Sequence, residues 1–171
     1  MIAALVAALR ERPAGAIALA ILLCASATIA GAWSLEALGY LPCELCLLGR
    51  KPYYLGIGVA ALLVALSARG RDDLARQGLP LLALLFLVGA AIAAYHAGVE
   101  WRLWPGPPEC TGAMSAPASQ ADFLARLKRV KPIRCDEPAL LLLGLSLAAW
   151  SVLLCLAFSA LAVWGFWRKR G

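Results

Sequence analysis

The chain has 171 residues, 63% of them hydrophobic and only 15% Asp, Glu, Lys or Arg. Soluble domains carry about 25% charged residues, so this balance, with a mean hydropathy of +0.79, argues against a water-soluble globule, a disordered chain and a nucleic-acid binder. The net charge of +6 reads instead as basic residues marking the cytoplasmic ends of membrane helices.

The gaps between charges give the elements in chain order. Pro13 to Leu35 is 23 residues without a charge, Pro52 to Ala68 is 17, Gln77 to Val99 is 23 with only His96 inside it, and Pro138 to Trp167 is 30. A bilayer core needs roughly 20 apolar residues per helix, with about 17 as the lower limit. The expectation is one all-α integral membrane domain, a bundle of four helices over about 14–33, 50–68, 78–98 and 139–167. The second span is the shortest and can extend back through Leu47 and Leu48. Arg10, Arg12 and Ala30-Gly31-Ala32 also have the look of a signal peptide. The apolar run between them exceeds the usual 7–15 residues of such a segment, so it is read as a span.

Four spans put both termini on one side. That side carries eight basic residues in 24 positions, against eight in 54 for the two remaining loops. The denser side is cytoplasmic by the positive-inside rule. The loops over about 36–49 and 99–138 then face the periplasm. Trp33, Tyr40, Trp101 and Trp104 sit near the outer ends of their spans, where amphipathic rings prefer to lie.

Four of the six cysteines fall in the outward loops: Cys43 and Cys46 in the first, Cys110 and Cys135 in the second. Cys24 and Cys155 fall within spans and read as small apolar packing residues. Outside the cytoplasm cysteines tend to pair. A loop staple suits Cys110 and Cys135, 25 residues apart. The two-residue spacing of Cys43 and Cys46 restrains an unfolded chain little. It suits a disulfide that opens and closes, since one thiolate is resolved by its neighbour. If a helix starts after Pro42, its free N–H groups stabilise a thiolate there. A four-cysteine zinc site is the competing reading. With one histidine and no haem attachment motif, a bound metal or haem is poorly supported. A lipid-soluble quinone is the natural electron acceptor at that depth.

Cys43-Glu-Leu-Cys46-Leu-Leu-Gly-Arg50 resembles the Cys-x-x-Cys-x-x-x-Arg of the DsbB family. So do Tyr95-His96 before the second loop, and Leu143-Gly144-Leu145 with Trp150 after Cys135. The resemblance covers nearly the whole chain. Gly49 departs from it, because many members carry an acidic residue before the arginine. The resemblance implies a quinone-dependent thiol oxidase that reoxidises a DsbA-like periplasmic oxidase of the thioredoxin fold. Cys110 and Cys135 would take electrons from that partner, with attack on Cys110. Cys43 and Cys46 would be the inner pair, with Cys46 against ubiquinone or menaquinone as a thiolate in a charge-transfer adduct. Arg50 would stabilise the negative charge. Nothing in the sequence gives His96 and Glu100 a firm role: each suits handling of protons or quinone oxygens, or a satisfied interface residue. Independently of the family, Arg50 and Lys51 are basic residues on the outer side, against the orientation rule. A guanidinium there can stabilise thiolate or oxyanion charge or simply snorkel at the interface. Arg134 beside Cys135 favours its departure as a thiolate.

Trp101 to Pro108 should be irregular and interfacial. Ser119 and Asp122 have the spacing of a weak capping box. Phe123, Leu124, Leu127 and Val130 then fall on one helical face, with Arg126, Lys128, Arg129 and Lys131 supplying charge elsewhere. This suits either a short amphipathic helix on the outer leaflet or a solvated loop segment. Two rival functions are kept. One is a vitamin K epoxide reductase-like thiol–quinone enzyme, in which the loop pair precedes the CxxC. The other is a non-catalytic membrane subunit with structural disulfides or zinc.

Overall fold

In a computed structural model the chain is described over residues 12–107 and 135–168. Four helices dominate: α1 (Pro13–Ala37), α2 (Glu44–Ala68), α3 (Asp72–Glu100) and α4 (Leu147–Trp167). Each is long and apolar enough to cross a membrane. Helices satisfy their own backbone hydrogen bonds, which is what makes them admissible in lipid. A short antiparallel ladder, β1 (Leu141–Leu142) with β2 (Leu145–Ser146), precedes α4.

The helix α3 is the spine of the bundle, lying along both α2 and α4, while α1 packs mainly on α2. Small residues bring the backbones together: Ala18, Ala25, Ala60, Ala75 and Ala162 are fully buried, the usual means of close helix approach in lipid. Between them Tyr53, Phe86 and Phe158 form an edge-on aromatic trio, with centroids 5.0 to 6.4 Å apart. Gly56 makes room for it, since a Cβ there would stand 2.7 Å from the Phe86 ring. Leu23, Leu62, Leu84, Leu87 and Leu153 point outward, as lipid-facing residues should.

The end of the bundle that holds the N-terminus of α1 is closed by a buried polar knot. Asp72, 3% exposed, accepts from the first-turn amides of Ala14 (3.4 Å) and Gly15 (3.0 Å) and from the Ser67 hydroxyl (2.7 Å). Arg12 donates to the carbonyls of Ser67 and Ala68 at 2.9 Å. One carboxylate thus caps α1, where anionic charge is favoured. It also fastens the end of α2 to the start of α3.

Three boundaries differ from the sequence expectation. The helix α2 starts at Glu44, inside the expected first loop, because Cys43 caps it. The helix α3 begins at Asp72, not near 78, since Asp72 and Asp73 suit a first helical turn. The expected fourth span from 139 becomes helical only at Leu147. Leu143 (φ 53) and Gly144 (φ 82) form a two-residue turn of the kind that closes hairpins. Ser146 then caps α4 by accepting from the Ala149 amide, and the Trp150 indole donates to the Leu142 carbonyl at 2.9 Å. The expected amphipathic helix after Ser119 lies outside the described residues.

Candidate functional site

The site forms at the opposite end of the bundle from the Asp72 knot. After α1 the chain turns at Gly39 (φ 95) and reaches Cys43 in extended conformation. Cys43 is the N-cap of α2: its Sγ accepts from the Cys46 amide at 3.2 Å. The helix start thereby folds the two-residue spacing back on itself, and the two sulfurs lie 2.7 Å apart as free thiols. From α3, His96 places Nε2 3.6 Å from the Cys43 sulfur. Cys43 and His96 are 6% and 7% exposed, whereas Cys46 is half-buried. One sulfur is therefore enclosed and the other is reachable from the bundle surface.

The hydrogen bond with the Cys46 side chain, and then burial, push the Cys43 thiol well above the ordinary thiol range. Cys43 is the partner that keeps its proton. Cys46 lies in the first turn of α2, where the amide dipoles favour negative charge.

Cys135 is disulfide-bonded and almost fully buried. It packs in one apolar cluster with Cys43, Leu45 and Val99, with Cys46 against its edge. Cys110, the other outer candidate, lies outside the described residues. A recess of about 350 Å³ opens beside this cluster, bounded by Val99, Arg102, Trp104, Pro105, Cys135 and Asp136. Trp104 folds back on α3, stacked on Tyr95 at 6.0 Å and donating to the Tyr95 carbonyl. Gly98 leaves the space for its ring, since a Cβ there would stand 2.0 Å from it. Residues 101–107 are irregular, as their Pro and Trp content predicts.

Arg50 lies one turn after Cys46 on the same face of α2. Its Nη1 donates to Glu36 of α1 at 2.5 Å, with the two side chains 14% and 30% exposed. The sequence reading missed this carboxylate. At Gly49 nothing stands within 4 Å of a Cβ, and the acid paired with the arginine comes from a neighbouring helix. Glu100 has no firm role by sequence alone. It is buried one turn after His96, with Oε1 3.7 Å from the imidazole Nε2 and a side chain 6% exposed.

Sulfur and imidazole donors of Cys43, Cys46 and His96 all lie within 4.8 Å of one another. Thiolates bound tetrahedrally to zinc at about 2.3 Å stand roughly 3.8 Å apart. The two sulfurs stand closer together than that, and the disulfide bond at Cys135 removes that sulfur from a four-thiolate set. Cys155 is buried as a packing residue, but Cys24 is exposed on the outer face of α1. Its expected packing role is corrected: a helix buried on one stripe leaves the other positions to lipid.

Four membrane-crossing helices with a free CxxC pair, a buried disulfide-bonded cysteine and a histidine gathered at one end define a thiol-handling integral membrane protein. The model of the family described as "Disulfide bond formation protein DsbB" matches residues 13–165. The chain belongs to the DsbB family: it is a multi-pass membrane protein of disulfide bond formation, and its chemistry is thiol oxidation. A protein of Cupriavidus necator named "Disulfide bond formation protein B" is 29% identical over 120 residues, covering 67% of this chain and 68% of that one. No solved structure matches the chain significantly.

Proposed function

We propose that the chain reoxidises a DsbA-like periplasmic oxidase and passes the electrons to ubiquinone or menaquinone in a bacterial inner membrane. Both termini are then cytoplasmic and the cysteine-bearing end periplasmic, in line with the distribution of Lys and Arg. The observation that carries the reading is that disulfide-bonded Cys135 is buried in the same apolar cluster as Cys43, with Cys46 of the CxxC pair at its edge. Two redox units in one cluster can exchange without long travel of either chain segment.

In this relay the partner's thiolate attacks Cys110 and Cys135 leaves as a thiolate. Cys135 then attacks Cys43 of the oxidised inner pair, so that the Cys43–Cys46 bond breaks and Cys46 leaves with the electron pair. The partner's second thiolate and Cys110 resolve the two mixed disulfides in turn, and two hydrogens leave the partner for each cycle. A strongly oxidising partner of this kind is regenerated only by a still more oxidising acceptor. A quinone supplies that by taking two electrons and two protons.

The residues around Cys46 fit such a ring. Its sulfur is half-buried at the bundle surface, beside exposed Leu47 and Leu48. Arg50 keeps further guanidinium donors beyond the one engaged by Glu36. Those donors can meet developing oxyanion charge.

The test is anaerobic turnover of purified protein with a reduced thioredoxin-fold oxidase and added quinone. Oxidation of the partner matched one-for-one by quinol is expected. Partner oxidation that proceeds equally without quinone would overturn the reading.

A further inference from the structure

A buried carboxyl oxygen without a partner is costly, the more so in a membrane protein. Among the described buried side chains, Oε2 of Glu100 is in that position. The other oxygen, Oε1, lies 3.7 Å from His96 Nε2, and the same nitrogen lies 3.6 Å from the Cys43 sulfur. One imidazole nitrogen therefore stands between a thiol and a carboxylate. Both neighbours are fixed: His96 and Glu100 are one turn apart on α3, and Cys43 is held by its capping bond to α2.

We propose that Glu100 is a positioning residue which, through His96, draws the proton from Cys43 when the inner disulfide closes. The inference rests on the proposed direction of electron flow, but its first test does not need the quinone. In the step, the Cys43 S–H bond breaks and the proton passes to His96 Nε2. The sulfur's electron pair forms the bond to Cys46, and an electron pair leaves Cys46 for the quinone. The proton moves on to Glu100 Oε1 from the same nitrogen, so the imidazole returns to its starting tautomer.

The need for such a device follows from the pair itself. Cys43 is the sulfur that holds its proton, and it is enclosed from water. The groups facing Glu100 leave the role to it. On α3 there is His96, and from the start of α2 there are Cys43 and Cys46. Arg50, also acting on Cys46, is paired with Glu36. Ser146 approaches from the cap of α4. Arg102 and Asp136 border the adjoining recess. Cys135, in its disulfide, does not titrate.

The experiment measures alkylation of Cys43 by iodoacetamide in reduced, quinone-free, full-length protein across pH, mapped by mass spectrometry. It uses a Cys46→Ser background, so that the neighbouring sulfur does not compete. Each variant's rate is divided by its own rate at strongly alkaline pH, so that limited access to the enclosed sulfur cancels. General-base assistance contributes about 10²–10⁴ in rate, so Glu100→Gln should slow Cys43 modification by tenfold or more at neutral pH. Its profile should then rise only in the alkaline range, while Glu100→Asp restores part of the neutral-pH rate. His96→Ala and the double variant should match each other, because Glu100 acts through His96. A Glu100→Gln protein that melts like the parent and alkylates within twofold of it at every pH would overturn the inference. So would additive losses in the double variant. If the alkylation result holds but turnover with quinone is absent in the unsubstituted protein, the relay fails and the proton device stands.

Discussion

The two ends of the bundle each bury a carboxyl group on α3, and they treat it in opposite ways. Asp72 accepts from two amides and a hydroxyl, and its neighbours Ser67 and Arg12 are themselves engaged. Glu100, one helix length away, keeps one oxygen unpartnered and faces an imidazole at 3.7 Å. A satisfied buried network holds helices in register, whereas a half-satisfied one is costly unless it does chemistry. The same residue class thus marks the structural end and the reactive end. The CxxC thiols, the disulfide-bonded Cys135 and the histidine gather at the second.

The largest effect expected from breaking this contrast is at Cys46. Cys46→Ser should abolish electron transfer to quinone while leaving the melting temperature within a few degrees of the parent, since the Cys46 amide still caps against Cys43. Wild-type turnover in that variant would reject the inner pair. Arg50→Ala comes next. Loss of charge stabilisation by about 2–4 kcal/mol, as for other oxyanion donors, would slow quinone reduction or weaken quinone binding roughly 30- to 1,000-fold. Steady-state kinetics with varied quinone separate the two, and unchanged kinetics would make Arg50 a partner for Glu36 alone.

At the other end the effect should fall on stability. Asp72→Ala leaves the Ala14 and Gly15 amides and the Ser67 hydroxyl without their acceptor. Leaving such buried groups unsatisfied costs about 1–3 kcal/mol each at full desolvation. A loss of about 2–4 kcal/mol is expected once partial relaxation is allowed, read as a lower melting temperature in detergent, with turnover per folded molecule preserved. Loss of turnover at unchanged stability would erase the distinction between the ends. The smallest effect should come from Trp150→Phe, which releases the Leu142 carbonyl at the hairpin. About 1 kcal/mol is expected for one hydrogen bond of this kind, with thermal denaturation as the check.

Sequence made the four spans legible because charge is so expensive in hydrocarbon that its absence over about 20 residues carries the signal. The same signal blurs boundaries. Asp72 and Asp73 belong to the first turn of α3, yet charge counting assigns them to a loop. The Leu141–Ser146 hairpin is hidden because its residues are as apolar as the span they precede, with Gly144 the one clue. At the site, the CxxC pair and Arg50 announce themselves by local spacing. Glu36 does not, since its bond to Arg50 crosses from α1 to α2. Nor does the approach of His96 to Cys43, 53 residues away in the chain, which depends on how α3 packs on α2. Cys135 shows in sequence as a loop cysteine, but its place in one buried cluster with Cys43 is a matter of packing.

The most direct test of the relay is to trap its first step. A DsbA-like partner lacking its second active-site cysteine is reacted with the oxidised protein, and the mixed disulfide is located by peptide mapping. Linkage at Cys110 is expected, with Cys135 released next to the inner pair. Linkage mainly at Cys135, or no linkage while the outer disulfide stays intact, would contradict it.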